Sequence, residues 1–208
     1  ISLAFLVPIF FLPVTLEYFG FNKLALIAVA TILLVIYWAA KMMLGEKISF
    51  TKSMVDLPLL AYFLVVALAT FFSISKTDSI YGSQGRWMGL FSTVVLLVYF
   101  FLSTPLLKDI KVIKASLFGF LISSTLSSLV SVLAYYKIYV MATDFGRIQN
   151  FNLTGSIADT VFIAALALIV SLGLLGYTRF LPTKIALLVS VFINYFFINY
   201  LFINYLFI

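Results

Sequence analysis

The chain has 208 residues, is 64% apolar and 10% charged, and has a mean hydropathy of +1.22. A water-soluble domain is nearer half apolar and a quarter charged, so these figures exclude most soluble folds and, with them, intrinsic disorder. The formal charge of +6, from 13 basic and 7 acidic residues, then points to basic loops beside anionic lipid headgroups rather than to nucleic acid.

The composition predicts an all-α, polytopic transmembrane helical bundle. A hydrocarbon core of about 30 Å needs about 20 helical residues, and apolar runs near that length recur along the chain. They predict about seven spans, at Ile1–Leu16, Leu24–Ala40, Leu57–Phe72, Met88–Leu107, Val112–Tyr136, Ile157–Tyr177 and Ile185–Ile208. The first run carries Pro8 and Pro13 and reads as a kinked or incomplete span. It opens on Ile1 rather than Met, as expected of a processed form, an excised segment or a fragment of a longer gene. Tyr18, Tyr37, Trp38, Trp87 and Tyr177 stand at run edges, where aromatic side chains anchor in the headgroup layer. The runs are apolar on every face, unlike the alternating strands of a membrane barrel.

Nearly every charge falls between the runs. Alternate loops hold Lys41, Lys47, Lys52, Lys108, Lys111, Lys114, Arg179 and Lys184 on one side, and Lys23, Lys76, Arg86, Lys137 and Arg147 on the other. The positive-inside rule places the richer set and the N-terminus in the cytoplasm, with the loops Ser73–Trp87 and Lys137–Ser156 facing outward.

The first outward loop, Ser73 to Phe91, is polar, aromatic and glycine-bearing. Gly82, Gly85 and Gly89 allow tight turns and close approach to a ligand, and Arg86 precedes the next helix, a favourable place for a phosphate. An ordinary loop with Arg86 anchored to headgroups fits the same residues. The second, Asp144 to Asp159, again combines glycine, one arginine (Arg147) and amides. Asn152-Leu-Thr154 matches an N-glycosylation sequon, a weak signal beside a span. Asp159 reads either as a carboxylate favoured by a helix N-terminus or as an intramembrane acid with a function.

The fifth run carries Ser116, Ser123, Ser124, Thr125, Ser127, Ser128 and Ser131. Such residues let helices pack closely in lipid and bond across the interface, or line a polar path. The chain then closes on the repeat Phe-Ile-Asn-Tyr-(Phe/Leu) over residues 192–208, set apart from the transmembrane region 1–191. Five residues advance a helix by about 140° beyond a full turn, so Asn194, Asn199 and Asn204 form no stripe. A low-complexity expansion and a packing role both remain open for this tail.

The absence of cysteine and histidine removes disulfides, thiolate chemistry and the commonest general base and metal ligand. No residue is nominated as catalytic, and neither metal nor cofactor is expected.

The loop from Phe72 to Leu90 resembles a segment of bacterial O-antigen ligase and polymerase-like membrane proteins. There, a Phe-Ser-hydrophobic span end is followed by Asp, Gly and an Arg-aromatic-x-Gly-Leu run into the next span. Gly146-Arg-Ile-Gln-Asn-Phe-Asn-Leu-Thr-Gly-Ser156 is similar to the Arg…Phe-Asn-x-x-Gly segment that opens the core of the same family. Order and membrane context agree over Leu57–Tyr177. The resemblance implies a glycosyl transfer outside the bacterial cytoplasmic membrane, from undecaprenyl diphosphate to a lipid or a growing chain. On that footing Arg86 and Arg147 are candidate diphosphate contacts. Tyr81 and Trp87 are candidates to stack on sugar or prenyl chain, and Asp78 and Asn152 complete the candidate set. The family's catalytic loop lies beyond the matched stretch, so the resemblance implies an N-terminal portion that is inactive alone. The alternatives are a multipass transporter or flippase, and a non-catalytic membrane assembly subunit.

Overall fold

A computed structural model describes residues 2–13, 17–45, 53–83, 87–141, 143–148 and 151–202. All regular structure among them is helical: α1 (Ser2–Ile9), α2 (Gly20–Met43), α3 (Asp56–Phe71), α4 (Lys76–Tyr81), α5 (Leu90–Ser103), α6 (Ile110–Tyr135), α7 (Ile157–Tyr177) and α8 (Leu181–Phe196). Short 3-10 turns occupy Thr104–Lys108 and Asp144–Arg147, and α8 relaxes into a π-helical turn over Phe197–Phe202.

Five of the seven apolar runs are carried by helices long and apolar enough to cross a bilayer: α2, α5 with its 3-10 extension, α6, α7, and α8 with the first residues of its π-turn. Length and composition therefore suggest a multipass protein in a lipid bilayer. α7, with 21 residues, spans about 31 Å. The sixteen residues of α3 are shorter. Among the described residues of the run Ile1–Leu16, which leave out 1 and 14–16, the helix is the eight-residue α1, which passes through the buried Pro8 and stops before Pro13. α4 was not foreseen; it interrupts the first polar loop.

The burial pattern is inverted relative to a soluble protein. Among the described residues the buried set comprises, besides Pro8, eight apolar side chains and fourteen polar ones, all Ser, Thr or Asn. Large apolar side chains such as Leu33, Val65, Phe162, Ile169 and Phe192 are instead exposed by 61–69%. Lipid tails are as apolar as leucine, so burying leucine gains little there. Small residues and hydrogen bonds hold such helices together instead.

The chain divides into two compact units, residues 13–112 and residues 1–12 with 113–208. In the first, α2 packs along α5, and the Trp38 indole donates to the Leu102 carbonyl (2.9 Å). α3 and α4 also pack on α5. α5 ends where the Thr104 hydroxyl bonds back to the Phe100 carbonyl (2.7 Å) and Pro105 follows, a combination that tightens the helix into a 3-10 turn.

The second unit is built on α6, α7 and α8. Leu121, Ala167 and Leu187, one from each helix, meet in a buried cluster, and Ala164 packs with Phe197 in another. The Lys114 ammonium lies 5.6 Å from the centre of the Tyr177 ring, which brings the start of α6 beside the end of α7. The Ser123 hydroxyl reaches the Ala4 carbonyl of α1 (3.4 Å). Ser156 starts α7: its hydroxyl accepts the Asp159 amide (3.0 Å), an N-cap that satisfies one of the free amides of the first turn.

Candidate functional site

The two polar loops belong to different units, and each has its own local architecture. In the unit 13–112, Ser75 opens α4 and its hydroxyl donates to the Asp78 carboxylate (2.7 Å). Asp78 is exposed and its position is fixed by this local bond. Tyr81 ends α4, half exposed, with its ring 6.5 Å from that of Phe91.

Gly82 then adopts φ +92°, and Gly89 packs against it. A Cβ on Gly89 would come within 2.4 Å of the Ile80 carbonyl oxygen and 2.6 Å of the Gly82 nitrogen; one on Gly82 would meet the Met88 nitrogen at 2.4 Å. The close approach seen at these two glycines is between stretches of the chain's own backbone. The two glycines close the neck of a loop over residues 82–89. Gly85 and Arg86, on that loop, lie outside the described residues.

Trp87 follows with φ +46°, a left-handed conformation rare for a bulky residue. Its indole N–H donates to the Glu17 carboxylate, and its ring meets Phe21 edge-on at 5.3 Å. Just beyond, the buried Asn22 amide donates to the Tyr18 carbonyl (2.9 Å) and the Glu17 carbonyl (3.1 Å). Trp87 thus joins the loop to the start of α2. Sequence reasoning missed Glu17, because nothing local ties it to a residue 70 positions away.

In the second unit, Arg147 closes the 3-10 turn Asp144–Arg147, and its side chain is exposed. Gly146 makes that turn possible; a Cβ there would lie 2.8 Å from the Met141 Cβ. Asn152 is buried, and its Oδ1 accepts from the Gly155 amide (2.7 Å) and the Thr154 hydroxyl (3.1 Å). This is an Asx-type turn. Thr154 lies within reach of Thr160 as well, and the Phe151 ring packs on Phe11 at 6.2 Å. The segment is a folded plug over the start of α7. A buried amide engaged in its own turn is poorly placed as a glycosylation acceptor. Asp159 is exposed in the first turn of α7.

The most polar interior lies elsewhere, between α6 and α8. Asn194 is fully buried. Its Oδ1 accepts from Ser128 (2.8 Å) and Ser124 (3.2 Å), and its Nδ2 donates to the Ser190 carbonyl (2.8 Å). The Thr125 and Ser190 hydroxyls bond to each other (2.8 Å), and Thr125 also reaches the Leu121 carbonyl (2.7 Å). Ser127 is buried with its hydroxyl unpartnered. Ser124, Thr125 and Ser128 of the fifth run thus join α6 to α8 through the first asparagine of the repeat. Asn199 is exposed and donates only locally, to the Tyr195 carbonyl (3.1 Å).

Among the described residues no three acidic side chains gather where a metal could be held. No family model, curated protein or solved structure matches the chain.

Proposed function

We propose that the chain is the N-terminal membrane portion of an O-antigen ligase or polymerase-like enzyme that transfers a glycan from undecaprenyl diphosphate. On this reading it has about seven spans in the bacterial cytoplasmic membrane, with its N-terminus in the cytoplasm. α1 and α3 are then the two short members, completed by flanking residues. The observation that carries the reading is the recurrence of one pattern, glycine, arginine and amide or aromatic residues, directly before two long apolar helices, α5 and α7, in the family's order.

Two features support it. The exposed Arg147 side chain is free to turn toward a headgroup-level diphosphate, and Arg86 stands in the sequence between Gly82 and Gly89, whose backbones meet just before α5. Guanidinium groups suit diphosphate because their paired N–H donors match two phosphate oxygens at once. Tyr81 keeps half of its surface open for a sugar or prenyl chain. Trp87, held by Glu17, acts by positioning the loop. Asp78 bonds locally to Ser75 in the first loop, and Asn152 to its own turn in the second.

The test is Arg86→Ala and Arg147→Ala, separately, in the protein containing this chain, with transfer of glycan from a lipid-linked donor measured in membranes. Loss of one charge-assisted phosphate contact, about 1.5–3 kcal/mol, is expected to lower transfer at limiting donor by about ten- to a hundredfold in each. Unchanged transfer in both variants would remove the assignment.

A further inference from the structure

One end of the second unit combines a basic cap with an apolar groove, and the two fit a single ligand. The cap is formed where α6 begins and α7 passes into α8. Lys114 lies over Tyr177 there. α8 runs alongside α6 with Ser190 opposite Thr125, and Arg179 stands two residues after Tyr177, in the extended connection before α8, which puts it at the same end as Lys114. Lys184 follows in the first turn of α8, with a stem long enough to bring its ammonium back to that level. The only acidic residues from 113 to 208 are Asp144 and Asp159. Asp159 stands at the opposite end of α7, about 27 Å from Tyr177 along the helix, and Asp144 lies in the connection before it. At the cap's own end the acidic residue is Asp109, just before α6, whose carboxylate accepts the Lys111 amide (2.8 Å); Lys114, Arg179 and Lys184 outnumber it.

The groove starts one turn inside the cap. It holds about 190 Å³ between α6 and α8, lined by Phe118, Ile122, Leu126 and Val189 among others. Lys114, Phe118, Ile122 and Leu126 recur every fourth residue, which sets them along one face of α6. From Phe118 to Leu126 the groove runs about 12 Å, within the roughly 15 Å of a single leaflet. Its two hydroxyls, Thr125 and Ser190, are bonded to each other, so it offers methylene-compatible surface rather than a binding place for a polar solute.

We infer that this end of the bundle binds an anionic phospholipid, with the phosphate headgroup held by Lys114 and Arg179 and one acyl chain laid in the α6–α8 groove. Charge complementarity selects an anionic headgroup, and the groove, open to the side beneath the cap, selects a lipid over free phosphate. The inference rests on the helices lying in a bilayer and not on the glycan-transfer reading, so either can fail alone.

The test uses the full 208-residue chain in phosphatidylcholine nanodiscs. These are doped with trace phosphatidylglycerol or phosphatidylcholine bearing the same photoactivatable acyl chain, and crosslinks are mapped to peptides. Phosphatidylglycerol is expected to label residues 118–126 and 186–190 in excess over phosphatidylcholine. Removing each basic side chain is expected to lower that excess about fivefold (about 1 kcal/mol per charge), so K114Q with R179Q brings it to the phosphatidylcholine level. The K114R/R179K pair, which keeps the charge, retains the excess and controls for folding. Ile122→Trp is expected to lower labelling in the groove and leave labelling of other lipid-facing surfaces unchanged. Excess inorganic phosphate is expected not to compete. Equal labelling by the two lipids, an unaltered excess in the K114Q/R179Q variant, displacement by inorganic phosphate, or groove crosslinks between two copies of the chain would each overturn the inference.

Discussion

Asn194 and Asn199 occupy the same place in successive repeat units and opposite environments in the bundle. A five-residue step turns an α-helix about 140° past its start, and the π-turn that begins at Phe197 alters the rotation further. Asn194 faces the serines of α6 with both its donor and acceptor ends engaged, whereas Asn199 bonds only to its own helix. Asn194→Leu is therefore expected to destabilise the protein by about 1–2 kcal/mol, and Asn199→Leu to stay within about 0.5 kcal/mol, as read from unfolding in a mixed-detergent titration. Equal effects would show that the α6–α8 network does not depend on Asn194. A second residue-scale expectation concerns Gly82. With φ +92° and backbone atoms 2.4 Å from any added Cβ, Gly82→Ala must reopen the loop neck. In a Trp38→Phe background, where Trp87 is the only tryptophan, acrylamide quenching of its fluorescence is expected to rise. Unchanged quenching would mean that the neck does not hold Trp87 on Glu17.

At the scale of elements, the long helices were legible in the sequence because lipid imposes a length. Ile157–Tyr177 coincides with α7 from end to end, and Val112–Tyr136 is α6 within two residues. α2 is longer than its run, Leu24–Ala40, because Gly20–Lys23 and Lys41–Met43 continue the helix through polar positions that an apolar count excludes. α4 was hidden by its small polar residues, which carry no periodicity over six positions. The candidate loops were legible as compositions but not as conformations. Glycine content marked tight turns, yet only the coordinates show that Gly82 and Gly89 face each other rather than a ligand, and that Asn152 is buried in its own turn. The partner of Trp87 required a long-range pairing that spacing does not carry. A measurable consequence follows at the start of α7. Ser156→Ala removes the cap on the Asp159 amide and is expected to cost about 1 kcal/mol, with faster amide exchange confined to the first turn of α7. Exchange spread evenly along the helix would contradict the capping role.

For the whole molecule, the governing feature is the inverted burial: hydroxyls and amides inside, large apolar side chains outside. In water that arrangement would leave a broad apolar surface open to aggregation. In a bilayer it puts apolar groups against lipid tails and lets every buried polar group find a partner within the bundle, with Ser127 as the exception among the described residues. The apolar fraction that excluded a soluble fold at the outset is thus accounted for by which faces of α2, α3, α7 and α8 are open. The most direct test exploits the absence of cysteine, which lets single thiols be placed without background. Cysteines at Phe162, Ile169 and Phe192, and at Arg147 and Arg179, would be challenged in sealed vesicles with a charged, membrane-impermeant maleimide. The three helix positions are expected to be unreactive until detergent is added. Arg147 and Arg179, on either side of α7, are expected to react from opposite faces of the vesicle. Rapid labelling at Phe162, Ile169 and Phe192 in intact vesicles, or labelling of Arg147 and Arg179 from the same face, would contradict a bundle that crosses the membrane.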